Sequence, residues 1–185
     1  MGYTTTFGGA FIIEPPLNKH EVEYLKKLNN TRRMSRGKGP YYVDGTGFAG
    51  QDSEPDILDY NVPPEGQPSL WCQWTVSDDG TRIMWDEGEK AYCMEEWLAY
   101  IIEHFLKPGA VTSELEVIGS ESWVNGSQFA HFTYDHVVSG TVTAAGEDPG
   151  DMWVLMVEDN VVHRGDSVIN FFTPEGRALT AEETW

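Results

Sequence analysis

The sequence predicts an α+β protein in which two helices pack on an antiparallel sheet of about six to eight strands. Three observations lead to this prediction. Residues 91–107 have the apolar period of a helix, most segments after residue 110 have a period of two, and short polar turns separate those segments. We treat residues 1–185 as a single domain, because this length is ordinary for one hydrophobic core.

The start of the chain predicts a strand followed by a helix. Residues 4–13 are rich in Thr, Phe and Ile, which favour strands, and Pro15 and Pro16 end this segment. Asn18, with Glu21 three residues later, predicts a capping box at the start of a helix. The apolar stripe that follows predicts that this helix continues to about Arg33.

A long irregular segment and a hairpin come next. Residues 34–69 are rich in Gly and Pro, which is typical of a loop that either carries function or is mobile. Residues 70–76 and 81–85 both alternate between apolar and polar side chains around the turn Ser77-Asp78-Asp79-Gly80. This pattern predicts a β-hairpin.

The second half of the chain predicts one central helix and then strands. Residues 91–107 carry an apolar stripe that includes Trp97, Ile101 and Phe105, and Pro108 with Gly109 ends the helix. Asn125-Gly126 is the preferred sequence for a tight hairpin turn. The predicted strands of this half are residues 114–118, 122–124, 127–138, 140–145, 152–157 and 161–169.

Charge is sorted along the chain. Residues 1–38 hold seven Lys and Arg against three Glu, a net charge of +4, whereas residues 39–185 hold five against 27 acids, a net charge of −22. An acidic body repels phosphate, which excludes nonspecific binding to nucleic acid or to an anionic membrane. The same body attracts a basic protein, so we expect a protein partner, with the oligomeric state left open.

The sequence predicts no cofactor and no metal site. The acidic runs lack the EF-hand spacing, although a divalent cation on the acidic turns stays an open alternative, and the five His form no H-x-x-x-H or H-E-x-x-H motif. No motif of a catalytic nucleophile occurs, so we expect a binding protein and not an enzyme. The chain contains only two cysteines, Cys72 and Cys93. So low a number favours reduced thiols and a cytoplasmic location.

Two groups of residues are candidates for binding. Aromatic residues are concentrated in residues 71–97, where they form either a binding pocket or the core between hairpin and helix. Basic residues at the end of the first helix either contact an anion or complement the helix dipole. The binding candidates are Arg32, Arg33, Arg36, Lys38, Trp71, Trp85, Asp86, Glu87, Glu89 and Tyr92. The candidates for an acidic recognition surface are Glu147, Asp148, Asp151 and Asp159.

Several stretches of the chain resemble a group of small hypothetical proteins of tailed phages and prophages. They are residues 85–92, 96–98 with 101–105, 146–148 with 151 and 157–162, 58–64 and 68–74. The chain departs from that group at residues 108–111 and 119–139. The resemblance implies a phage or prophage setting and the host bacterial cytoplasm, and it implies no catalytic residue or ligand.

Three functions follow as hypotheses. The first is a phage or prophage accessory protein that binds a host or phage protein through its acidic surface, as a host-takeover or anti-defence inhibitor or as a DNA mimic. The second is a protein that binds or sequesters a nucleotide-like small ligand with the Trp-rich segment and the basic loop. The third is a virion or assembly component.

Overall fold

A computed structural model of the chain describes residues 3–45, 54–115, 127–148, 150–166, 173–174 and 176–177. It contains a six-stranded antiparallel sheet, a second sheet of two strands, and two helices, which confirms the predicted α+β class. The strands are β1 (Thr6–Glu14), β2 (Ser35–Arg36), β3 (Ile57–Asp59), β4 (Trp74–Val76), β5 (Arg82–Trp85), β6 (Val137–Ala145), β7 (Met152–Glu158) and β8 (Val161–Asp166), and the helices are α1 (Lys19–Asn30) and α2 (Met94–Ile101).

The six strands of the large sheet lie in the order β4-β5-β1-β6-β7-β8. The first strand of the chain is therefore central, with β5 on one side and β6 on the other. One end of the sheet, which we call the Trp74 end, brings together the start of β1, the end of β5, the end of β6 and the start of β7. The opposite end, the Glu158 end, contains the turn between β4 and β5 and the turn between β7 and β8.

The core lies on one face of this sheet, which we call the inner face. Alternate residues of the strands, such as Phe11, Val142 and Leu155, are fully buried there. They belong to one hydrophobic cluster with Trp97 and Phe105 from the central helix region. Burial of these large side chains is the main favourable term in folding. No helix in the described ranges is long and apolar enough to cross a membrane.

Helix α1 begins as predicted and ends earlier. The side chain of Asn18 accepts hydrogen bonds from the backbone N–H groups of His20 and Glu21, and Glu21 accepts one from the N–H of Asn18, so the capping box is confirmed. The helix ends at Asn30, three residues before the predicted end. Thr31 has an extended backbone, and the N–H of Arg33 donates to the carbonyl of Leu70 instead of continuing the helix.

Helix α2 begins at Met94, three residues later than predicted, because Cys93 has a left-handed backbone with φ 55°. Its continuation over Ile102–Leu106 is a π-helix, closed by a hydrogen bond from the N–H of Lys107 to the carbonyl of Ile102. The carbonyl of His104 accepts a hydrogen bond from the hydroxyl of Thr112 at 2.5 Å. The predicted helix is therefore confirmed in its centre and corrected at its start.

Predictions after residue 110 are confirmed in part. Residues 140–145 and 152–157 lie in β6 and β7, and 161–166 form β8, whereas the prediction of a strand over 127–138 is wrong. Ser127–Phe129 form a turn of 3-10 helix, and the strand begins only at Val137. Phe129 and Phe132, three residues apart, both pack against Tyr24, a spacing that a strand cannot provide.

Two more strand predictions are not confirmed: one segment begins in a 3-10 helix, and the other lies outside the described residues. Glu114 ends a turn of 3-10 helix over Val111–Glu114, so the strand predicted from that residue does not begin there. The rest of that segment, the predicted strand 122–124, the Asn125-Gly126 turn and residues 167–169 lie outside the described residues. In the predicted hairpin, only Trp74–Val76 of residues 70–76 are strand, and they pair with β5 as expected.

Candidate functional site

An apolar groove of about 430 Å³ opens at the Trp74 end of the sheet. We call it the Trp71–Tyr92 groove after its two most exposed aromatic residues, which are 39% and 58% exposed. Its lining comes from two segments that are joined through the β4–β5 hairpin, and it consists of Pro63, Pro68, Ser69, Leu70, Trp71, Gln73, Glu89, Lys90 and Tyr92. Exposed aromatic side chains beside prolines are typical of sites that bind protein segments.

The first wall of the groove is held from behind by the central helix. The indole N–H of Trp97 donates to the hydroxyl of Ser69 at 2.7 Å, and that hydroxyl donates to the carbonyl of Trp71 at 3.1 Å. Trp97 itself is fully buried and packs edge-on against Tyr100. The backbone around Trp71 is therefore fixed by core residues while its side chain stays exposed, which lowers the entropy cost of binding.

The second wall is the loop of residues 86–93, which contains three non-glycine residues with a left-handed backbone. Their φ angles are 64° at Glu87, 58° at Lys90 and 55° at Cys93. Such a conformation costs on the order of 1–3 kcal/mol per residue and persists only where the surroundings impose it. Asp86 contributes by accepting hydrogen bonds from the side chain of Asn29 and from the N–H of Gly88.

Gln73 joins the two walls and carries an unused acceptor. Its side chain is 8% exposed, and its amide Nε2 donates to the carbonyl of Glu89 at 2.8 Å. The amide oxygen Oε1 is buried and accepts no hydrogen bond. Unsatisfied buried acceptors are rare because each costs about 1–3 kcal/mol. Gln73 lines the groove, so a small shift of its side chain would offer this oxygen to a donor on a bound segment.

The basic candidates Arg33 and Arg36 lie in the interior and not at the groove. Arg33 is 2% exposed and donates to Gln67 and to the carbonyl of Pro40. Burial lowers the pKa of its guanidinium. Arg36 forms an ion pair with Glu54, and its Nη1 lies 3.3 Å from Asp56. The two side chains therefore bind described parts of this segment around Pro40, Gln67, Glu54 and Asp56.

The other two basic candidates lie nearer to the surface, also outside the groove lining. Arg32 donates to the carbonyl of Tyr60 and to Asn61 at 3.3 and 3.4 Å. The ammonium of Lys38 lies 4.3 Å from the ring centre of Tyr42 and 4.0 Å from Asp56. The backbone of Arg33 is hydrogen-bonded to that of Leu70, beside Trp71. The basic side chains nevertheless lie outside the groove lining, so the basic and aromatic candidates do not form one binding site.

The aromatic and acidic candidates divide between the groove and the core. Tyr92 and Trp71 line the groove together with Glu89, and Glu87 is exposed on the same loop. Trp85 points to the inner face, where its ring packs on Phe7 at 5.8 Å. Of the three aromatic candidates, Trp71 and Tyr92 line the groove, whereas Trp85 is partly buried and packs against the core.

The acidic candidates near the C-terminus lie at both ends of the sheet. Glu147 accepts a hydrogen bond from the N–H of Thr4, and Asp151 pairs with the hydroxyl of Tyr3. These two, with Asp148, lie at the Trp74 end. Asp159 lies in the β7–β8 turn at the Glu158 end, so the four residues do not form one surface.

Other candidate chemistry is limited in the described part of the chain. No group of three His, Cys, Asp or Glu side chains there is arranged to hold a metal ion. His131 stacks on His20, and His136 is buried beside Glu21, so the two His predicted to lie on one strand lie in a loop. Cys72 and Cys93 are both free thiols.

Comparison with protein-family models, with curated proteins and with solved structures finds no match to this chain. The site is therefore interpreted from its own geometry. The groove residues that sequence reasoning missed are Pro63, Pro68, Ser69, Leu70, Gln73 and Lys90. The Gly- and Pro-rich composition of residues 34–69 was the available signal for the two prolines, whereas nothing in the sequence indicates that Gln73 bridges to Glu89.

Proposed function

We propose that this protein acts by binding another protein, and that the Trp71–Tyr92 groove receives an extended, basic segment of that partner. The observation that carries the proposal is the combination, in one groove, of two exposed aromatic side chains with the buried free acceptor of Gln73. Aromatic residues in a desolvated pocket supply most of the affinity of protein interfaces. An N–H group of the segment would satisfy the Gln73 oxygen.

Charge supports a basic partner. Glu89 lines the groove, Glu87 is exposed beside it, and the chain as a whole carries a net charge of −18. This potential accelerates association with a positive segment and makes binding sensitive to salt. Lys90 is the only base among the described residues of the groove lining, and it directly follows Glu89 in the chain. The partner segment is therefore expected to combine Lys or Arg with apolar or proline residues.

The groove supports binding of a protein segment more strongly than it supports binding of a nucleotide-like ligand or DNA mimicry. A nucleotide-like ligand would need cationic contacts, yet the Arg33 and Arg36 side chains are buried and bonded to internal acceptors. DNA mimicry would need acids in rows, whereas the C-terminal acidic candidates lie at both ends of the sheet. We retain the phage or prophage setting as part of the proposal, and it rests on the resemblance alone.

A displayed library of random peptides, selected against the immobilised full chain, tests the proposal. We expect enrichment of sequences that combine Lys or Arg with apolar or proline residues. Trp71→Ala and Tyr92→Ala should each weaken the selected peptides about 30-fold, as expected for a loss of about 2 kcal/mol at an interface hot spot.

Leu58→Ala is the matched control, because Leu58 is an exposed apolar residue of β3 outside the groove lining. It should leave affinity unchanged. The proposal fails if no peptide is enriched, if the enriched peptides are acidic, or if they bind the Trp71→Ala variant as tightly as the native chain. Circular dichroism of each variant separates loss of binding from loss of folding.

A further inference from the structure

The large sheet has a second face, which we call the outer face, and it is exposed. The inner face carries the core, whereas the outward side chains of Ile12 on β1 and of Met152 and Met156 on β7 are 42%, 46% and 41% exposed. An antiparallel sheet with one solvated face normally alternates apolar residues inside with polar residues outside. The outer face departs from this rule because apolar side chains occur on it as well.

Charge is nearly absent from the outer face. Strand alternation places only Arg82, Glu14 and Glu158 there as charged residues, one base against two acids, in a chain with a net charge of −18. Its other positions are Gly, Ala, Ser, Thr, Val, Ile, Met and one His. The electrostatic repulsion between two copies of so acidic a chain is therefore weak across these strand positions.

We propose that two copies of this chain associate through their outer faces. In such a pair the two-fold axis runs parallel to the strands, between β1 and β6, and each face covers the same face of the second copy. This operation places β5 of one copy over β7 of the other, because both lie one strand away from the central pair. Aligned packing of two sheets is an ordinary arrangement.

The charges of the outer face are complementary under this symmetry. Across the sheet, Arg82 pairs with Ile12, and Ile12 pairs with Ser139. Gly140 pairs with Val157, and Ser139 and Glu158 each lie one residue from that pair, toward the Glu158 end. Arg82 and Glu158 thus lie on one row across the sheet, on opposite sides of the axis. The two-fold operation brings Arg82 over Glu158 of the second copy, and it does so twice.

The next row provides apolar contact. Met84 lies one residue beyond Ile83, which pairs with Phe11, and Met156 of β7 pairs with Thr141 of β6. Met84 and Met156 therefore lie on one row across the sheet. The same operation places Met84 over Met156 of the second copy. The usual angle of about 30° between packed sheets displaces side chains that lie ~7 Å from the axis by roughly 4 Å. Long Arg and Met side chains can span this displacement.

The size of the outer face is that of a small dimer interface. Six strands ~4.8 Å apart, each of three to nine residues of ~3.3 Å, give a projected face of about 600 Å². A standard interface buries about 800 Å² per partner, measured on the corrugated surface. The proposal does not rest on the groove, since the groove opens at the Trp74 end of the sheet and leaves the outer face uninvolved.

Sedimentation equilibrium of the full chain tests the proposal, with a charge exchange as the decisive measurement. The native chain should show a monomer–dimer equilibrium. Arg82→Glu and Glu158→Arg should each weaken the dimer at least about tenfold, because each places like charges opposite one another twice. The double variant Arg82→Glu/Glu158→Arg should restore the native dissociation constant. Met156→Lys should also weaken association.

Lys19→Glu is the matched control. It makes the same change from base to acid as Arg82→Glu, at an exposed position of helix α1, and should leave the dimer intact. A native chain that stays monomeric at sub-millimolar concentration overturns the proposal. So does a native dimer that the single charge reversals leave unchanged, or a double variant that associates no better than the weaker single variant. Binding of peptides to the groove is measured separately and does not depend on these outcomes.

Discussion

Glu21 and His136 form an ion pair that is completely buried between α1 and the loop before β6, with 3.2 Å between Oε1 and Nε2. The other ring nitrogen of His136 lies 2.7 Å from the carbonyl of Pro15, which can only accept, so this nitrogen carries a proton. The Glu21 carboxylate also accepts from the N–H of Thr133. The geometry therefore fits a carboxylate facing an imidazolium.

This pair predicts a stability optimum in mildly acidic solution. Burial lowers the pKa of His136, but its bonds to Glu21 and Pro15 outweigh burial and raise the pKa above 6.5. Burial raises the pKa of Glu21, yet the bonds from His136, Thr133 and Asn18 outweigh it and lower the pKa below 4.5. The His contribution is complete below pH 6.5 and is lost as pH rises through the folded pKa. The Glu contribution is complete above pH 4.5 and is lost in stronger acid.

Glu21→Gln is expected to reduce the free energy of unfolding by about 3 kcal/mol between pH 4.5 and 6.5, because it leaves a buried His without its counter-ion. The loss should shrink as pH rises through the folded pKa of His136. Urea unfolding at several pH values measures it. Glu23→Gln removes the same charge from the exposed side of α1 and should cost less than about 0.5 kcal/mol. A loss of stability in Glu21→Gln that is the same in mildly acidic and in alkaline solution would contradict the imidazolium assignment.

The burial of Arg36 predicts a structural role for part of the basic segment. Its guanidinium is 2% exposed and pairs with Glu54 and Asp56, which are 17% and 15% exposed. Arg36→Met leaves these carboxylates without their main cation and should cost about 2 kcal/mol of unfolding free energy. Arg32→Met is the comparison, because Arg32 makes only two long hydrogen bonds, and it should change stability by less than about 0.5 kcal/mol.

The two variants separate a structural basic cluster from an anion-binding one. Equal stability of Arg36→Met and the native chain would mean that the ion pairs contribute nothing, and the cluster would again be free for a ligand. Thermal denaturation in the presence of inorganic phosphate adds a direct reading. Phosphate should not raise the melting temperature of the native chain beyond its general salt effect.

Local signals in this sequence were sufficient where neighbouring residues decide the structure. Asn18 and Glu21 form the predicted capping box because both partners lie within one turn of α1. The hairpin of β4 and β5 likewise depends on the turn between them. The prediction of a strand over 127–138 is wrong for a related reason. It depends on alternation between neighbouring residues, whereas Phe129 and Phe132 pack at a helical spacing against the distant Tyr24.

The groove could be predicted only in part because distant contacts assemble it. The aromatic character of Trp71 and Tyr92 is visible in the sequence, but the backbone position of Trp71 depends on the bonds that join Trp97, Ser69 and the Trp71 carbonyl. The basic cluster shows the opposite case. Its charges are visible in the sequence, yet the acids that pair with Arg36 lie 18 and 20 residues further along the chain. Net charge alone could not reveal this pairing.

The two thiols are predicted to differ in reactivity. Burial raises the pKa of Cys72 to about 12, and burial also raises that of Cys93, which is only partly buried beside Tyr92. A disulfide reagent at about pH 8 should therefore modify Cys93 slowly and leave Cys72 intact until the chain unfolds. Counting the released thiolate gives the result. The Cys93→Ser variant should release none in the folded state, and rapid release from it would contradict the burial of Cys72.

The left-handed residues of the groove loop predict that a glycine substitution stabilises this chain. Glu87 has φ 64°, a conformation that costs a residue with a side chain about 1–2 kcal/mol and costs glycine almost nothing. Glu87→Gly should raise the free energy of unfolding by about 0.5–1 kcal/mol, after allowance for the greater freedom of glycine in the unfolded chain. Glu89→Gly removes the same charge from the same loop, where φ is not positive, and should lower stability instead. Urea unfolding of both variants compares them directly. If Glu87→Gly is no more stable than Glu89→Gly, the backbone strain does not contribute to the folded state, and the loop is held in this shape at no cost.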